Sequence, residues 1–133
     1  MQKGGLLMAA RKYSFLVVFM ATSCAVASSQ YSVEVENHLS QCIEIESTET
    51  YNQNNKPYAK IKYREISSIA NCGCKSALSS YSVHAVDKEY QSFLMGGKFS
   101  FYKTESLTLP LAVDHRIIGN RPIRISLSCA SPD

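Results

Sequence analysis

The chain has 133 residues, room for one ordinary domain and not two. Its 45% hydrophobic and 19% charged residues are the balance of a globular protein and exclude a long disordered chain. No apolar run reaches the ~20 residues needed to span a bilayer, and the formal charge of +3 loses its meaning once the first residues are considered.

Residues 1–27 have the organisation of a secretory signal peptide. Lys3, Arg11 and Lys12 supply a basic start, and Phe15 to Ala21 is an apolar core too short to cross a membrane. Met8 is an alternative start that would make the basic region more compact. Ala25-Val26-Ala27 carries small residues where signal peptidase needs them, with cleavage before Ser28. The competing route is lipidation of Cys24, because Ala21-Thr22-Ser23-Cys24 resembles a relaxed bacterial lipobox. Removal of residues 1–27 takes away three of the 14 basic residues and none of the 11 acidic ones, leaving a neutral domain over residues 28–133. A nucleic-acid partner would need a clustered basic face and is not expected.

The domain then alternates with period two. Tyr31, Val33 and Val35 fall on one face of a first strand, with Ser32, Glu34 and Glu36 on the other. After a turn at Asn37–Ser40, Cys42 to Glu46 alternates again. Tyr51 to Pro57 is a polar, Asn-rich stretch expected as a loop. Ala59 to Arg64 is the next strand, and its Lys60, Lys62 and Arg64 are suited to pairing with the five glutamates of residues 28–55 across a sheet. An irregular segment around Cys72-Gly73-Cys74 follows. Tyr81 to Ala85 is a strand, with His84 expected to face outward. Tyr90 to Met95 and Lys98 to Tyr102 are expected as two strands of a hairpin turning at Gly96-Gly97. Pro110 makes Leu107–Leu111 an edge strand. Ala112 to Pro122 is a long connection with room for one helical turn, and Ile123 to Cys129 closes the chain. About seven to eight short strands predict an all-β, immunoglobulin-like antiparallel sandwich. The absence of Trp argues against a true antibody-type domain.

Four cysteines remain after residue 27: Cys42, Cys72, Cys74 and Cys129. In an exported domain an even count points to two disulfides. A Cys72–Cys74 bridge across one glycine closes a strained ring and is disfavoured. The other two pairings both tie the Cys72-Gly73-Cys74 segment to strands near each end of the domain and remain open. The same segment could instead serve soft-metal or thiol-redox chemistry, with Met95, His84 and His115 as further copper ligands. No second Cys-x-Cys accompanies it, so disulfides are the expectation, with no cofactor or metal.

Asp114-His115-Arg116 is the densest acid–base cluster, and His38 lies in a turn. Catalysis needs an oriented base beside a nucleophile, and consecutive residues cannot all face one point. No nucleophile elbow, metalloprotease helix, phosphate loop or calcium loop occurs. The seven tyrosines of the domain could instead line a binding face, with Tyr51 the best exposed candidate.

Cys72-Gly-Cys-Lys-Ser-Ala77, the Leu-x-Leu-Pro-Leu stretch at 107–111 and the closing Ile-Ser-Leu-Ser-Cys129 resemble a family of small exported bacterial proteins of unknown function. The resemblance implies a secreted or envelope location and carries no catalytic residue. The sequence therefore leads to a non-catalytic binding module of the periplasm or envelope, secreted or lipid-anchored through Cys24. Its partner would be a protein or envelope ligand. A metal or redox protein built on Cys72 and Cys74 is the alternative.

Overall fold

The computed structural model describes residues 31–101 and 105–132. The segment expected as a signal peptide, residues 1–27, and Cys24 within it lie outside the described residues. Seven strands follow in order: β1 (Val33–Asn37), β2 (Ile43–Gln53), β3 (Lys56–Glu65), β4 (Ser79–Asp87), β5 (Tyr90–Phe99), β6 (Ser106–Pro110) and β7 (Ile123–Cys129). A 3-10 turn (Ile69–Cys72) precedes β4, and a single helical turn, α1 (His115–Ile118), precedes β7.

The strands form a four-stranded sheet ordered β1-β7-β4-β5 and a three-stranded sheet ordered β2-β3-β6. This is the expected all-β sandwich. One pairing departs from the antiparallel expectation: β1 runs parallel to β7, with Val33 opposite Ile123 and Val35 opposite Ile125. Alternation within β1 gives no sign of strand direction, so only the pairing of the chain's two ends reveals it.

Period-two patterning sets the core. Tyr81, Val83 and Ala85 of β4 and Ile123, Ile125 and Leu127 of β7 are buried, with half-exposed residues between them. The opposing sheet contributes Ile43, Ala59, Ile61, Tyr63 and Leu109 to the same apolar cluster. Burying an aliphatic side chain contributes roughly 1.5–3 kcal/mol, so this shared layer is what holds the sheets together. Burial also pushes the Tyr81 phenol above its ordinary pKa.

The charge complementarity expected across the sheet is present in part: Lys62 lies opposite Ser47, and Glu34 and Glu36 belong to the other sheet. Glu44 lies opposite Arg64 and forms an ion pair with it, and Glu49 lies opposite Lys60.

Two turns differ from expectation. The polar stretch Tyr51–Pro57 is mostly strand: β2 continues to Gln53, β3 starts at Lys56, and only Asn54 and Asn55 turn. Both have positive φ, 51° and 64°, a conformation asparagine tolerates better than most residues. The second hairpin turns at Lys88 (φ 53°) and Glu89, not at Gly96-Gly97, so Tyr90–Phe99 is one strand. The glycines answer a packing need instead. A Cβ on Gly96 would lie 2.8 Å from the Tyr81 backbone oxygen, and one on Gly97 would lie 3.3 Å from the Tyr81 ring.

Candidate functional site

The Cys72-Gly73-Cys74 segment is a sharp reversal between the sheets. The Ser68 side chain caps the 3-10 turn by accepting from the Ala70 N–H at 3.4 Å. Gly73 ends it in the left-handed conformation (φ 87°), its N–H donating to Ala70 O at 3.1 Å. Only glycine takes that φ without strain. The reversal sends the two cysteines to different sheets. Cys72 bonds Cys42, which immediately precedes β2, and Cys74 bonds Cys129 at the end of β7. Each sulfur is thus committed to a distant strand, and the segment holds no vicinal thiol pair. Among the described residues no group of three or more His, Cys, Asp or Glu is placed to hold a metal ion.

Beside this segment lies an open cleft of about 380 Å³. Glu65 and Lys75 face it with the hydroxyl-bearing Ser68, Ser76 and Ser100, and Phe101 forms an apolar wall. Phe101 is held edge-on to Tyr63 and Phe99, with ring centroids 4.9 and 4.8 Å away. Sequence reasoning did not anticipate the cleft, because its walls come from four separate stretches of chain.

Asp114 has a structural task. It is the N-cap of α1, accepting from the Arg116 N–H at 2.8 Å. The Arg116 guanidinium closes on the same carboxylate at 3.0 and 2.8 Å. These bonds hold the Asp114 carboxyl well below the usual carboxylate range and raise Arg116 in return. A carboxylate so stabilised in its charged form is a weak proton acceptor. The His115 Nδ1 lies 3.2 Å from Asn55 O and 3.6 Å from Asp114 Oδ1, and its backbone N–H donates to Asn55 O at 2.9 Å. The cluster docks the helical turn onto the β2–β3 hairpin.

The outer face of the four-stranded sheet is polar and small. Ser80 and Ser128 share a 3.1 Å hydrogen bond, Ser126 donates to Glu36, and Arg124 lies 3.4 Å from Glu34. His38 lies 3.3 Å from Glu36. His84 is half-buried on this outer side, as expected, and stands edge-on to Phe93 at 5.6 Å. Tyr51 stacks on Tyr58 at 5.5 Å and is only 37% exposed, so it is not the best presented tyrosine. That place belongs to Tyr90 at 77%, with Phe93 at 65% on the same strand.

Tyr90 and Phe93 lie on β5, the last strand of its sheet. The orientation of its backbone follows from β4. The Val86 N–H donates to Pro122 O, on the β7 side, so its partner Gln91 is not bonded to β4 there. By alternation, Ser92, Met95, Gly97 and Phe99 turn their backbone groups toward β4, while Gln91, Gly96 and Lys98 turn theirs outward. Leu94 is an extra residue between Val83–Met95 and His84–Phe93, a one-residue bulge. β6 is also an edge, as Pro110 led one to expect, but it has five residues and a buried Leu109.

A family model described as "Uncharacterized protein conserved in bacteria (DUF2195)" matches residues 17–132, and the chain belongs to that family. The resemblance drawn from the Cys-Gly-Cys and Leu-Pro-Leu motifs agrees with this membership. No curated protein and no solved structure matches the chain.

Proposed function

We propose that this member of the bacterial family is a non-catalytic, exported interaction module of the periplasm or envelope, and that it takes its partner along the outer edge of β5. One observation carries the reading. A ten-residue strand ends its sheet and bears Tyr90 and Phe93, the two most exposed large hydrophobic residues among those described. An edge strand offers a row of unpaired N–H and C=O groups that another strand can complete, and neighbouring side chains then set specificity. β6 is the weaker edge, because it is half as long and Pro110 has no N–H to donate.

Export is supported by the signal-like residues 1–27 and by two disulfides, which persist in oxidising compartments. The non-catalytic reading is supported by the use of Asp114 as a cap and ion-pair partner.

The test is site-specific photocrosslinking in the native cells from position 90, compared with position 76 in the cleft. Adducts from position 90 that vanish with Gln91→Pro support the reading. That substitution removes an N–H directed away from β4 and leaves the ladder to β4 intact. Adducts confined to position 76, or unaffected by Gln91→Pro, would overturn it. So would a purified-domain hydrolysis of esters, peptides or glycosides that disappears in His115→Ala.

A further inference from the structure

We propose that the cleft beside the Cys74–Cys129 bridge binds a small zwitterion with an apolar side chain, a free amino acid or a short peptide, with its ammonium on Glu65 and its carboxylate on Lys75. The site is separate from the β5 edge, and neither depends on the other.

The chain brings the two charges to the cleft from different stretches. Along β3, Tyr63 is buried, Arg64 turns outward to its ion pair with Glu44, and Glu65 returns to the side of Tyr63. The core ends at that point, so the Glu65 carboxylate stands at the cleft and not inside the sandwich. Lys75 follows Cys74, which is 8% exposed and bonded to Cys129, so its backbone is anchored where the side chain departs. Both side chains line the cleft, yet they form no ion pair with each other or with any other described residue. An acid and a base that face one cleft without neutralising each other complement a molecule carrying both charges. A purely anionic or purely cationic ligand would meet one like charge.

The remaining walls match the uncharged parts of such a molecule. The Ser68 and Ser76 Oγ atoms accept from the Ala70 and Leu78 N–H groups at 3.4 and 3.1 Å, which fixes the oxygens and leaves each O–H to donate. Ser100 adds a hydroxyl with no hydrogen-bond partner among the described residues. These donors suit a carboxylate or a peptide carbonyl. Phe101 is 9% exposed and locked between Tyr63 and Phe99, so it offers a fixed aromatic wall to an apolar side chain. Two disulfides and the capped 3-10 turn hold the cleft in place, so little ordering is lost on binding. Its volume of about 380 Å³ falls within the roughly 300–1,000 Å³ of small-molecule pockets.

The test uses the purified protein with both disulfides intact, followed by amide NMR during titration with phenylalanine and with alanyl-phenylalanine. Concentrations up to about 20 mM cover the Kd expected of such small ligands, on the order of 0.1–10 mM. The amides of Ala70, Ser76, Ala77 and Ser100 should shift with at least one probe, and those of Tyr90 to Phe93 should not. The tighter probe assigns the source, peptide or free amino acid. N-acetylation of the probe and Glu65→Gln should each weaken binding about 2- to 5-fold, as loss of an exposed charge pair does, and the two together should weaken it no further. C-terminal amidation and Lys75→Gln should behave in the same way. Lys60→Gln, on the outer face of β3, should leave the affinity unchanged, and the dispersion of each amide spectrum reports that the variant folds. Cleft amides that stay fixed with both probes overturn the proposal. Binding that survives both blocking groups, or both cleft substitutions, without weakening also overturns it.

Discussion

Removing the disulfides one at a time should show that each closes an independent loop. The Cys42–Cys72 bridge spans 30 residues and the Cys74–Cys129 bridge spans 55, and the two loops lie end to end with only Gly73 between them. The chain-entropy relation gives about 3.6 kcal/mol for the first and about 4.2 kcal/mol for the second. Because the loops do not overlap, their effects should add, to about 8 kcal/mol, against the 5–15 kcal/mol by which domains of this size are stable (a rough range). The assay is urea unfolding of residues 28–133, followed by far-UV dichroism, for wild type, Cys42→Ala/Cys72→Ala, Cys74→Ala/Cys129→Ala and the variant lacking all four cysteines. With a slope of about 1 kcal/mol/M for a small domain, each pairwise variant should lose about 3–4 M in midpoint. The four-fold variant should be at the edge of unfolding without denaturant. A pairwise loss below about 1 kcal/mol, or a four-fold variant with the wild-type midpoint, would refute the reasoning, whose expected range for such a bridge is about 2–5 kcal/mol.

Other outcomes follow from single residues. Gly96→Ala should destabilise by about 1–3 kcal/mol, as overpacking does, because the new Cβ meets backbone 2.8 Å away at Tyr81; chemical unfolding measures it. Ser79→Ala should be neutral or stabilising by about 1 kcal/mol, because the Ser79 hydroxyl is buried with no hydrogen-bond partner among the described residues. Asp114→Ala should lower stability at neutral pH by unbinding the cap. Its carboxyl is depressed in the folded state, so its contribution is present above the unfolded value of about 3.9 and is lost as pH falls through the lower folded value. The wild-type advantage over Asp114→Ala should therefore be flat from pH 5 to 8 and shrink in strong acid, as read from thermal unfolding against pH.

The strands that lie between core and solvent were the ones legible in the sequence. β4 and β7 bury every second residue, and Ile123, Ile125, Leu127 and Cys129 announce their face directly. β5 reads as two strands and not one because it has little buried face: Tyr90 to Phe93 are all exposed. Without that contrast Gly96-Gly97 attracted the turn, whereas the charged run Asp87-Lys88-Glu89 was the better signal. The far end of the β2–β3 hairpin extends past the core, so Asn52, Gln53 and Lys56 read as loop although they pair. The cysteines narrowed the bridges to two patterns, and the choice between them came from the left-handed turn at Gly73 and the closing of β7 on β4. The parallel placement of β1 and the cleft beside Cys74 both depend on contacts between distant stretches, which leave no local trace.

The most direct test of an exported, disulfide-stapled domain is the intact mass of the protein isolated from its native cells without reductant. The expected chain begins at Ser28, or at a lipid-modified Cys24, and its four remaining cysteines bind no alkylating agent until reduced. A full-length chain beginning at Met1 or Met8, with thiols that alkylate freely in the native state, would contradict it.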